Sequence, residues 1–150
     1  MKRSPELTPL SHDHHKALFA AQWLRRAEDE GDASATLLGF WTAHGRRHFE
    51  IEEGILLPGW FEADPGASAP MAARLAAEHL AIRTGIRHAG NGKLDLSGFR
   101  ALGSLLDDHV RFEERELFPC IEAGMEADGL SALGREIAEA EGSPAQEVEE

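Results

Sequence analysis

Apolar residues recur along the chain at helical intervals, and turn signals cut the pattern into segments. Thr8-Pro9 opens the first segment, with proline where a missing amide costs nothing, and its stripe runs through Ala17, Leu18, Ala21 and Leu24. A helix is predicted from Leu10 to about Asp29, before Gly31. Ser34 is a plausible N-cap for a second, which carries Leu37, Leu38, Phe40, Trp41, Ile51, Ile55 and Leu56 until Pro58-Gly59 interrupts it. Residues 64–70, Asp-Pro-Gly-Ala-Ser-Ala-Pro, have the composition of a loop. Pro70 then opens a third helix, with Leu75, Ile82 and Ile86 on its buried side, which ends near His88 at the Gly90-Asn-Gly92 cluster. Ser97 caps a fourth, holding Leu102, Leu105, Leu106, Val110, Phe112 and Leu117 and reaching Pro119 or slightly beyond. Leu130 to Ala140 forms a short fifth helix, and the acidic, apolar-poor end over residues 141–150 reads as a disordered tail. No run alternates as a half-buried strand does. The expected fold is all-α: an antiparallel four-helix bundle over residues 1–126, followed by a short C-terminal helix and acidic tail over 127–150.

Composition narrows the function classes. A chain of 150 residues with 42% apolar content is one domain's worth and buries a core of its own. Its 27 acidic residues against 15 Lys and Arg give a formal charge of -12, which speaks against nucleic acid or an anionic membrane surface as partner. The single Cys120 forms no internal disulfide, which fits a reducing compartment; beside Pro119 it reads as a small packing residue at a helix end. Met1-Lys-Arg-Ser-Pro-Glu is followed by no apolar run, and no stretch approaches the roughly eighteen apolar residues of a membrane helix. The expected location is therefore cytoplasmic. Out of line with an ordinary acidic domain are eight histidines and no tyrosine.

An internal repeat organises those histidines. Residues 48–58 read His-Phe-Glu-Ile-Glu-Glu-Gly-Ile-Leu-Leu-Pro, and residues 109–119 read His-Val-Arg-Phe-Glu-Glu-Arg-Glu-Leu-Phe-Pro. Positions four apart on a helix share a face and lie about 6 Å apart along the axis. His48 with Glu52, and His109 with Glu113, therefore converge on one point from two helices, each about two turns before a proline. That is the arrangement of a two-metal site, with imidazole as terminal ligand and carboxylate as bridge. A solvated acidic helix face explains one copy easily but two copies in register poorly.

The first and third helices supply the remaining ligands. In Ser11-His12-Asp13-His14-His15, helical spacing puts His14 on the apolar stripe, whereas His15 aligns with Leu18, Phe19 and Gln22; the stripe favours His14 without removing His15. His79 falls between Leu75, Ile82 and Ile86 on the buried side of the third helix. His12 sits at a helix start and His88 nearly opposite His79, so both read as surface groups. His44, one turn before His48, is a spare ligand or a group behind the ligands.

These residues resemble the hemerythrin-like, or HHE cation-binding, domain over roughly Leu10 to Met125. The resemblance is carried by the opening His-Asp-His-His, by the two His-x-x-x-Glu-Glu repeats and by Glu78-His79-x-x-x-Arg83. It implies a bundle holding two iron ions, with His14 or His15, His48, His79 and His109 as terminal ligands and Glu52 and Glu113 as bridges. Oxygen-carrying hemerythrins have a second histidine where Arg83 stands, and space the last carboxylate five after its histidine rather than four. The four-His, two-carboxylate set is similar instead to the bacterial branch associated with oxidant or nitric oxide responses and iron-cluster repair. Imidazole with carboxylate suits iron, and accepts manganese or zinc in vitro; one cysteine makes no thiolate site. None of the eight histidines has Glu three residues before it, as ferritin-like di-iron bundles require, and His-Glu-x-x-His is absent. The expected function is binding or sensing of oxygen, nitric oxide or peroxide, or handling of iron. The alternative is turnover: reduction of peroxide or nitric oxide, or iron donation in cluster repair, with the redox or signalling partner unknown.

Overall fold

The computed structural model describes residues 2–142. The expected acidic tail lies outside the described residues from position 143 onward. Among the described residues there are five helices and no strand. They are α1 (Thr8–Arg25), α2 (residues 30–63), α3 (Pro65–Gly90), α4 (residues 96–124) and α5 (Ala127–Glu141). The first four form the expected antiparallel bundle. None of the described helices is long and apolar enough to cross a membrane.

Helix boundaries differ from expectation where a side chain caps the backbone. Asp29, not Ser34, starts α2: its carboxylate accepts from the Asp32 amide at 2.8 Å, and Glu30 and Asp32 favour the positive end of the helix. Asp64 accepts from the Ala67 amide at 3.2 Å and Pro65 follows at the first turn, so the expected loop over residues 64–70 is the start of α3. Pro70 is tolerated inside it because that stretch is exposed and water satisfies the carbonyl left without a donor. Asp95 caps α4 two residues before Ser97. Between α3 and α4 the chain turns at Gly92, whose φ of 68° is the left-handed conformation that glycine adopts freely.

Neither Pro58 nor Pro119 ends its helix. In α2 the segments Trp41–Gly45 and Glu52–Leu56 widen into π turns, and in α4 Glu113–Leu117 does the same. The Leu57 amide reaches back five residues to the Glu52 carbonyl, and the Phe118 amide to that of Glu113. This shift of register falls one residue before each proline, which has no amide to place, so the helix passes through to Ala63 and to Gly124. Continuation of α4 leaves Cys120 exposed on its outer face rather than packed.

Two apolar clusters fill the bundle. One contains Ala17, Ala21, Leu24, Leu37, Phe49, Ile82 and Leu106; the other contains Leu7, Leu10, Leu56, Trp60, Leu75, Leu117 and Phe118. Helix α5 adds Leu133 and Ile137 to the second, so it packs into the core. Helix α1 lies along α4 at close range: a Cβ on Gly103 would stand 2.8 Å from the Ala21 carbonyl oxygen. Between the clusters each bundle helix carries a buried polar group, and these form one layer.

Candidate metal centre

Six side chains make up that layer: His14 from α1, His48 and Glu52 from α2, His79 from α3, and His109 and Glu113 from α4, all buried. Glu52 and Glu113 are 0% exposed, a location carboxylates occupy only when paired or bound to a metal. The structure brings together His14, not His15, which is exposed on the outer side of α1. His12 is exposed as well, and His88 and His44 are half-buried.

The carboxylates are shared. Glu52 Oε2 lies 2.9 Å from His48 Nε2 and 3.7 Å from His14 Nε2, while its Oε1 lies 3.1 Å from His79 Nε2. Glu113 Oε1 lies 2.8 Å from His14 Nε2, and its Oε2 lies 2.8 Å from His109 Nε2 and 3.8 Å from His79 Nε2. Two groups result, each able to hold a metal ion: His14, His48, Glu52 and Glu113, and His79, His109, Glu52 and Glu113. Each carboxylate gives one oxygen to each group.

These atoms fit a cation better than they fit one another. His48, His79 and His109 Nε2, both Glu52 oxygens and Glu113 Oε2 are buried without a hydrogen-bond partner, although their neighbours stand within ion-pair distance. Lone pairs that close, yet not aimed at each other, are oriented toward points between them. Leaving six such atoms unsatisfied is costly in a dry interior. An ion in each group would satisfy them.

A second set of acids holds the rings. His14 Nδ1 pairs with Glu114 Oε2 at 2.5 Å, His48 Nδ1 with Asp13 Oδ2 at 3.0 Å, His79 Nδ1 with Glu53 Oε2 at 2.6 Å, and His109 Nδ1 with Glu78 Oε1 at 2.6 Å. Each Nδ1–H donates to its carboxylate, which turns Nε2 toward the centre and raises its basicity as a ligand. The pattern has a pseudo-twofold relation: the acid before His14 holds His48, the acid before His79 holds His109, and the second Glu of each repeat holds the histidine of a neighbouring helix. Arg83, which stands in place of an oxygen carrier's second histidine, donates to Glu53 at 3.0 Å. Arg74 does so to Glu78 at 2.9 Å, and Ser11 to Glu114 at 2.6 Å. Phe49 stacks on His79 with centroids 3.7 Å apart, and Phe118 on His14 at 5.3 Å. Sequence reasoning missed the four outer acids as a set, though the pairs Asp13-His14 and Glu78-His79 and the doubled Glu of each repeat are their signal.

Without metal the layer is a network of imidazolium and carboxylate. Burial pushes the His14 ring down, but hydrogen bonds to Glu113, Glu114 and Glu52 outweigh it and raise its pKa to about 10. Burial likewise opposes, and Glu113 and Glu78 override, for His109, which rises to about 9. Glu113 is penalised by burial, yet His109 and the hydrogen bonds around it hold it well below the carboxylate range. An unfolded histidine titrates near 6.5. Above that pH the unfolded chain sheds protons that folded His14 and His109 keep, so their contribution to stability is full below about 6.5 and is lost as pH rises toward 10. Glu113 and Glu52 contribute above about 4.5, and that contribution fades as pH falls below it. Thermal unfolding of chelator-treated protein should therefore give its highest Tm between about pH 5 and 6.5 and a falling Tm toward pH 10. A Tm that is flat or rises over the alkaline limb would contradict this network. Metal must displace the same protons, so its affinity rises along that limb.

The chain belongs to the hemerythrin HHE cation-binding family: a sequence profile of that domain matches residues 7–121, which reach from the start of α1 nearly to the end of α4. Comparison with curated proteins and with solved structures finds no match. With the buried His/Glu layer, membership makes this a cation-binding helical bundle.

Proposed function

We propose that the chain is a non-haem di-iron protein that binds or senses a small ligand such as oxygen, nitric oxide or peroxide, or handles iron itself. The observation that carries this reading is the sharing of Glu52 and Glu113, each giving one oxygen to each of two histidine pairs. Two carboxylates offset much of the charge of two divalent ions in an apolar interior. Imidazole and carboxylate donors suit iron, with manganese and zinc as competitors in vitro. A bound iron pair supplies one-electron chemistry and open coordination positions. The residues of the chain bind it, orient its ligands through the outer acids, and exclude water with Phe49 and Phe118.

A cavity beside the centre supports the small-ligand half of the reading. It measures ≈ 10 Å³, room for about one water-sized molecule, and is lined by His14, His48 and His109 on one side and by Ala17, Phe49, Leu106 and Val110 on the other. That space suits a diatomic or peroxide, not an organic substrate. Anaerobic reconstitution with ferrous iron is expected to load two ions per chain, and air should then develop near-ultraviolet charge-transfer absorption. A stoichiometry well below two would overturn the dinuclear reading. Steady consumption of peroxide or nitric oxide with an added reductant would move the function from binding to turnover; a stable adduct would keep it as binding.

A further inference from the structure

The cavity beside the centre is enclosed except where three lining residues reach the surface: Asp13, Phe40 and His44, each half-buried. Two of them are fixed. Asp13 is held by the His48 ring at 3.0 Å. Phe40 packs against the backbone one turn on, so closely that a Cβ on Gly45 would stand 2.8 Å from its Cε2. His44 is different: Lys16, Asp13 and Arg47 act on it only through space, and it makes no hydrogen bond or ion pair with a described residue. It stands in the π turn Trp41–Gly45, one turn before His48, where the helix is widened. A side chain with one edge on the cavity, one in solvent and no fixed partner is free to change rotamer.

We propose that His44 is the gate of this cavity, the side chain whose swing admits a small ligand from solvent to the metal centre. The proposal rests on the small-ligand reading above and adds the path and the residue that controls it. In the closed position the imidazole completes a wall that is otherwise apolar or ligating, which keeps bulk water from the centre. In the open position the path passes between α1 and the π turn of α2.

Azide tests the gate, followed in stopped flow by its charge-transfer band on iron-loaded protein. His44→Ala removes the gate and should raise the association rate about tenfold or more, as expected if the open form is a minor population. His44→Trp should lower it by a similar factor, with iron content at the wild-type level in both. A second readout needs no metal: xenon under pressure should occupy the cavity in crystals of chelator-treated His44→Ala and be excluded from His44→Trp. Unchanged azide rates in both variants, or equal xenon occupancy, would overturn the gate and leave the small-ligand reading standing. Failure of iron-loaded wild-type protein to take up azide at all would instead sink that reading, while the xenon comparison would still decide the gate.

Discussion

Iron-loaded Glu113→Ala is expected to hold one ion per chain or none, where the parent holds two. The carboxylate lies 2.8 Å from both His14 and His109 through different oxygens, so its removal takes a donor from each metal group at once. Loss of an acid that only orients a ligand costs about 10–100-fold in metal affinity, and loss of a shared donor should exceed that. Folding should survive. With Glu113 gone, His14 and His109 lose the main partner that raises their pKa values and titrate to the neutral form instead of remaining as buried cations. Glu113→Gln separates charge from shape: it keeps the volume and one coordinating oxygen but not the second donor. Metal counting after reconstitution, beside circular dichroism of the chelated variants, reads both effects. Two ions retained in Glu113→Ala would remove Glu113 from the centre and, with it, the shared-carboxylate geometry.

Much of this layer was legible because its signal is local. A four-residue spacing fixes a helix face whatever the helix packs against, so His48 with Glu52 and His109 with Glu113 could be paired from the sequence. The inward position of His14 followed from Ala17, Ala21 and Leu24, and that of His79 from Leu75 and Ile82, since each follows its own helix period. What crosses between helices was not legible. Glu114 holding His14 spans 100 positions and Glu53 holding His79 spans 26, and no periodicity links residues on different helices. The proline boundaries failed for a related reason. Pro58 and Pro119 are breakers in an α ladder, but in both helices the amide before the proline reaches five residues back to the carboxylate residue, which removes the conflict. The repeat Glu-Glu-x-x-Leu-x-Pro thus specifies a metal-facing carboxylate and the π turn that carries the helix onward. Asp29, Asp64 and Asp95 each moved a helix start because a carboxylate accepting an amide outweighs the weak preference of a nearby Ser or Pro. Cys120 was misplaced as packing because the helix was taken to end beside it.

Phe118→Ala should destabilise the metal-free protein by about 3–5 kcal/mol, a large share of the about 5–15 kcal/mol that holds a domain of this size folded. Phe118 is 0% exposed and sits where the lower apolar cluster meets the polar layer. One face stacks on His14 at an interplanar angle of 14°, and the Arg3 guanidinium stands 5.2 Å from the ring centroid. Truncation therefore opens a void directly under a buried imidazole that is charged in the metal-free state. Water drawn into that void solvates the ring and weakens its pairing with Glu113, so the loss exceeds that of an equal cavity among leucines. Phe118→Leu fills most of the space and should cost less than about 1.5 kcal/mol. Denaturant unfolding of both variants, with chelator and after iron loading, measures the difference. Metal binds only the folded chain and stabilises it by mass action, so loading should recover much of the Phe118→Ala loss if the ligands still converge. A midpoint that stays low with iron bound would mean that the aromatic ring, and not the polar layer alone, sets the geometry of the centre.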